Sequence, residues 1–140
     1  MTDKTEKKLI YIADDDYSIR EAIKAFLESA DFKVRAFETG DALLLEFNKK
    51  PSDMVILDVM MPGNHNGFGV LKEIRSFSIV PIIMLTARDS DLDYQTGLDL
   101  GSDDFFTKPV SPMNLVMRVK AIFRRIEFER TAYENKLAKK

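Results

Sequence analysis

The sequence predicts an α/β fold in which a five-stranded parallel sheet carries helices on both faces. Three observations predict it: five short apolar runs, helix-spaced segments alternating with them, and connections of a length that suits right-handed crossovers. "LIYIA" (9–13) reads as the first buried strand, and Ile19, Ala22, Ile23, Phe26 and Leu27 follow at helical spacing. "KVRAF" (33–37) alternates as a half-buried strand does, and Thr39 can cap a helix carrying Leu43, Leu44 and Phe47. "DMVILD" (53–58) is a third strand, after which Phe68, Leu71 and Ile74 mark a helix beyond a Gly-containing loop. "VPIIML" (80–85) is the fourth, with a helix over 90–99 ending near Gly101. "DFFT" (104–107) is a weaker fifth strand before Lys108-Pro109, and a long helix starts near Ser111-Pro112.

Composition narrows the function classes. A chain of 140 residues, 45% hydrophobic and 31% charged, has the make-up of one globular domain. Its net charge of −2 supplies no overall basic field to recruit nucleic acid. Without cysteine there is neither a disulfide framework nor a thiolate metal site. The apolar runs are far shorter than a membrane span, and "MTDKTEKK" does not read as a signal peptide, so the expected location is the cytoplasm.

"YIADDD" (11–16) runs a buried strand straight into three adjacent carboxylates, which would repel one another at neutral pH unless something positive compensates. In a parallel α/β sheet the ligand site lies beyond the C-terminal strand ends, near the switch in strand order. The residues there are Asp14 and Asp15 after the first strand, Asp58 ending the third, Thr86 after the fourth and Lys108 after the fifth. Clustered carboxylates suit a hard divalent cation such as Mg²⁺. Lys108 supplies further positive charge, and the Thr86 hydroxyl can bond a phosphoryl oxygen. Asp16 reads as a helix cap. His65, the sole histidine, is expected to be exposed and inert, and Met60, Met61 and Met84 to fill the core.

"IADDDYSIR", "ILDVMMPGNHNGF", "IIMLTARD" and "GLDLGSDDFFTKPVSP" together resemble the receiver domains of bacterial two-component response regulators. The likeness spans Leu9 to Arg125 and is nearest to the OmpR/PhoB-like branch through "TARD", "GLDLGSDDF" and "SPMNLVMRVKAIFRR". It implies the doubly wound, flavodoxin-like receiver fold and a Mg²⁺-dependent phosphoacceptor at Asp58, served by a histidine kinase. Mg²⁺ would be held by Asp15, Asp58 and the backbone carbonyl of Met60, with Asp14 acting through a bound water. Thr86 and Phe105 would be the switch pair. Phe105 replaces the commoner Tyr, which favours burial of the ring. Arg88 and the Met60 side chain would tune the approach of water. "PGNHNG" holds four residues between Pro62 and Gly67 where the family usually has three, so the loop beside Asp58 is expected to bulge.

The resemblance also implies homodimer formation on phosphorylation, through a face built from Leu98, Asp99, Asp103, Asp104, Val116, Arg118, Lys120 and Arg125. Tyr94 and Asn114 stand where an Arg and a Glu usually pair, a loss of about 0–1 kcal/mol for an exposed ion pair. Residues 1–125 are expected to form the receiver. Residues 126–140 would form a helical extension or the start of a linker to an output module, through which alone DNA would be contacted.

Three rival readings weigh less. A dehalogenase-type phosphatase would use Asp14 as nucleophile with Asp16, Lys108 and the Asp103-Asp104 pair, but Tyr17-Ser18 breaks its motif and Asp58 would have no task. A flavodoxin-like nucleotide binder is disfavoured electrostatically by the acidic first loop. A phosphorylation-independent interaction module would leave Asp58, Thr86 and Lys108 unexplained.

Overall fold

Each strand is a run of five or fewer residues whose side chains alternate between two faces, and each face meets its own helices. The computed structural model describes residues 6–87 and 99–139. Within them the order is β1 (Leu9–Ala13), α1 (Tyr17–Ser29), β2 (Lys33–Phe37), α2 (Gly40–Lys49), β3 (Met54–Asp58), α3 (Gly67–Arg75), β4 (Ile82–Thr86), β5 (Asp104–Thr107) and α4 (Pro112–Ala138). All pairings are parallel, in the order β2-β1-β3-β4-β5. Most of the helix expected over 90–99 lies outside the described residues. Asp99 and Leu100 are helical, and Gly101 follows at φ +102, a left-handed conformation that glycine adopts without penalty.

The period-two alternation of the strands divides the core. Tyr11, Val55, Leu57, Ile82 and Met84 pack with Leu43 and Phe47 of α2 and Val70, Leu71 and Ile74 of α3. On the other face Ile10, Ile12, Ile56, Ile83 and Leu85 pack with Ile23 and Leu27 of α1 and Leu115, Val116 and Val119 of α4. Full burial of such side chains contributes about 1.5–3 kcal/mol each, so the sheet is a rigid platform for whatever lies at its rim.

Helix starts are fixed by side-chain caps: Asp16 accepts from Ile19 N, Thr39 from Ala42 N, Asn66 from Gly69 N and Ser111 from Asn114 N. Each cap contributes about 1 kcal/mol. Of these, Asp16 and Thr39 were expected from sequence. The last helix runs 27 residues, and from Arg124 onward every described residue is exposed, so the helix outlasts the core it packs on.

Candidate functional site

Register builds the site. Ala13 pairs with Leu57, so the residues that follow, Asp14 and Asp58, emerge side by side at the switch between β1 and β3. Asp58 pairs in turn with Leu85, and Thr86 with Thr107, which brings Thr86 and Lys108 to the same rim; Lys108 N donates to Thr86 O at 2.7 Å. Asp14, Asp58 and Thr86 are buried although polar. Asp15 is exposed, yet oxygens of Asp14, Asp15 and Asp58 lie within 4.8 Å of one another.

The Lys108 ammonium reaches into this cluster, 3.1 Å from Asp58 Oδ2 and 3.3 Å from Asp14 Oδ2. Burial, and then the adjacent Asp14 carboxylate, push the Asp58 carboxyl up to about 7 against the opposing pull of Lys108. Burial alone would lower the pKa of Lys108, but Asp58 and Asp14 outweigh it and raise the value. One ammonium thus reaches two carboxylates of a cluster of three.

The donor set fits a hard cation. Asp14 Oδ1 is occupied by Asp16 N at 2.9 Å, whereas Asp14 Oδ2 is buried and accepts no hydrogen bond. A buried carboxylate oxygen without a donor is costly unless positive charge neutralises it. Lys108 does so in part, and an ion bound among the three carboxylates would complete it.

Two contacts at the rim escaped the sequence reading. Arg20, one turn into α1, donates from Nη1 to the carbonyl of Asp14 at 2.6 Å and lies over the Tyr17 ring, fixing the acidic loop to the helix it caps. Its position four residues after the Asp16 cap was the available signal. The second is His65. Expected to be exposed and inert, it is half-buried, with Nδ1 2.5 Å from Asp41 Oδ1. Their separation of 24 residues left no local pattern to find.

Met61 and Met84 are core residues as expected, but the Met60 side chain is 68% exposed, because it stands in the loop after β3. Phe105 is half-buried against the core face containing Met84, its register partner. The residues expected on one dimer face divide. Asp103, Asp104, Arg118 and Arg125 line one shallow cavity, with Arg118 Nε 2.9 Å from Asp104 Oδ2. Val116, expected on an exposed apolar patch, is instead buried in the core and with Lys120 lines the groove against α1. Asp103 is engaged within the chain: Oδ2 accepts from Arg75 Nη2 at 2.9 Å and Ile82 N at 2.7 Å. Asp99 is exposed, while Leu98, Tyr94 and Arg88 lie outside the described residues.

Residues 10–120 match the family model of the response regulator receiver domain. The chain belongs to that family. The sensory transduction protein RegX3 of Mycobacterium tuberculosis H37Rv is 40% identical over 116 residues, covering 83% of this chain and 51% of that protein. The probable transcriptional regulator ycf27 of Galdieria sulphuraria is 42% identical over 127 residues, covering 91% of this chain and 49% of the relative. The chain therefore spans about half the length of the curated relatives it matches.

Among solved structures, the receiver domain of the Francisella response regulator 1452 superposes with a TM-score of 0.80 at 33% identity, covering 86% of this chain and 99% of that one. DrrB, described as a Thermotoga maritima OmpR/PhoB homologue, superposes at 0.78 with 30% identity, covering 86% and 54%. This receiver accordingly sits with the OmpR/PhoB-like branch. Receivers of two-component response regulators are phosphorylated on an aspartate, and the relatives of this one include transcriptional regulators. Among the described residues no helix is long and apolar enough to cross a membrane.

Proposed function

We propose that Asp58 is the phosphoacceptor of this receiver, that Asp14, Asp15, Asp58 and the Met60 carbonyl hold Mg²⁺, and that a histidine kinase is the donor. The observation that carries the reading is the Lys108 ammonium between Asp58 and the partly unsatisfied Asp14 carboxylate. A carboxylate oxygen of Asp58 attacks the phosphorus of a phosphohistidine; the O–P bond forms as the N–P bond breaks, and the freed imidazole takes up a proton from solvent. Bound Mg²⁺ would supply positive charge to the transferring oxygens. Lys108 neutralises charge from the β5 side, and the Thr86 hydroxyl donates to a phosphoryl oxygen. Positioning and charge account for most of such a transfer.

The acyl phosphate carries about two negative charges and three acceptor oxygens, which draws Thr86 inward and lets Phe105 settle deeper. That rearrangement reshapes the surface that pairs two copies and controls an output outside these 140 residues, transcriptional by kinship with the relatives. The same reading places this receiver in the cytoplasm. Intact-mass spectrometry after incubation with acetyl phosphate tests the reading. A gain of about 80 Da that needs Mg²⁺ and is absent from Asp58→Ala supports it; an adduct that survives Asp58→Ala but not Asp14→Ala transfers the role to Asp14 and makes the protein a phosphatase.

A further inference from the structure

The loop joining β3 to α3 leaves Asp58 and returns to it. Gly67 N donates to Val59 O at 2.9 Å, and a Cβ at Gly67 would stand 2.2 Å from the carbonyl oxygen of Asp58, so the far end of the loop lies against the backbone of the phosphoacceptor itself. Residues 60–66 between these points belong to no helix or strand. What holds them is Asp41, in the first turn of α2. Its Oδ1 meets His65 Nδ1 at 2.5 Å and its Oδ2 accepts from Asn64 N at 3.1 Å, so both carboxylate oxygens grip adjacent loop residues.

The backbone is shaped to allow this grip. Gly63 takes φ +100 beneath Asp41, and any Cβ there would lie 3.1 Å from Asp41 Oδ2. Gly40 lets the loop approach α2, because a Cβ on it would come within 2.8 Å of the His65 carbonyl oxygen. On the α3 side a Cβ at Gly69 would stand 3.5 Å from the His65 ring, so the ring packs close to that helix while Asp41 is the carboxylate paired with the imidazole. A half-buried imidazole with a carboxylate on Nδ1 is oriented, and its loop with it.

We infer that Asp41 and His65 form a brace that positions the phosphorylation loop, holding the Met60 carbonyl where a cation bound at Asp58 needs it. His65 and Asp41 are positioning residues, since neither touches the reacting atoms. The inference rests on the Mg²⁺ and Asp58 assignments above. Residues 60–66 have no helix or strand of their own, so a charge-assisted contact anchored on a helix restricts conformations that the loop would otherwise keep.

The test is calorimetric Mg²⁺ titration of the whole chain beside the rate of acetyl phosphate labelling, for wild type, His65→Ala, Asp41→Ala, the double variant and His65→Asn. The Asn amide nitrogen can take the place of Nδ1 and donate to Asp41. Both single Ala variants should bind Mg²⁺ roughly three- to tenfold more weakly and label correspondingly slower at subsaturating Mg²⁺. The double variant should be no worse than either single, and His65→Asn should recover most of the loss. Equal affinities throughout, additive losses in the double variant, or a His65→Asn protein as weak as His65→Ala would overturn the brace. A wild type that neither binds Mg²⁺ nor takes up phosphate would instead overturn the assignment of Asp58 on which it rests.

Discussion

Replacing Asp58 with Asn should make the metal-free protein more stable, although it removes the group on which function depends. The Asp58 carboxyl is raised from 3.8 to about 7 by burial and by Asp14, with Lys108 opposing. The folded state therefore holds a proton there that the unfolded chain has released, and between about pH 4 and pH 7 stability falls as pH rises. The full shift corresponds to about 4 kcal/mol at most. Water at the open mouth of the site, where Asp15 is exposed and Lys108 partly so, screens this to about 1–2 kcal/mol. Urea unfolding in EDTA, followed by circular dichroism, should show Asp58→Asn more stable by that amount at pH 8 and nearly equal to wild type at pH 4. Mg²⁺ should reverse the order by binding the wild-type fold, by about 2.7 kcal/mol at one hundred times its Kd. An Asn variant less stable than wild type in EDTA at pH 8, or a difference that does not change with pH, would refute the reasoning.

Other expectations follow from single contacts. Arg75→Met removes three donations, to Gly101 O, Ser78 O and Asp103 Oδ2; urea midpoints should report a loss of about 1–3 kcal/mol. Tyr11→Phe removes the hydroxyl that donates to Lys50 O at 2.7 Å, at a cost of about 1 kcal/mol. Because burial raises the pKa of Tyr11, wild-type stability should decline above pH 10 as the phenol ionises, and the Phe variant should lack that part of the decline. Truncation after Arg125 keeps Phe123 against Phe32 and removes only exposed helix, so Tm should move by no more than about 2 °C. A collapse of the fold on truncation would move the domain boundary beyond residue 125.

The parts of the molecule legible in the sequence are those with a local period. Runs such as "LIYIA" and "MVILD" are buried on both faces and so appear as unbroken apolar stretches, and Asp14, Asp58, Thr86 and Lys108 could be grouped because a parallel sheet collects strand ends at one rim. What stayed hidden depends on pairs far apart in the chain. Asp41 and His65 are separated by 24 residues and Arg75 and Asp103 by 28, and nothing in either neighbourhood announces the other. Met60 was misassigned because an apolar residue just past a strand looks like its continuation, while the chain has already turned outward. Val116 and Arg118 were grouped by sequence, but two residues along a helix differ by about 200° in direction, which separates a core position from a surface one.

The site's central claim is that one particular carboxylate among four at the rim accepts the phosphoryl group. Borohydride reduction of the acyl phosphate, which converts the modified aspartate to homoserine, followed by peptide sequencing in a mass spectrometer, reads that position directly. The account predicts homoserine at position 58 alone, and only when Mg²⁺ was present during labelling. Homoserine at position 14, 15 or 16, or labelling at 58 that is indifferent to Mg²⁺, would contradict it.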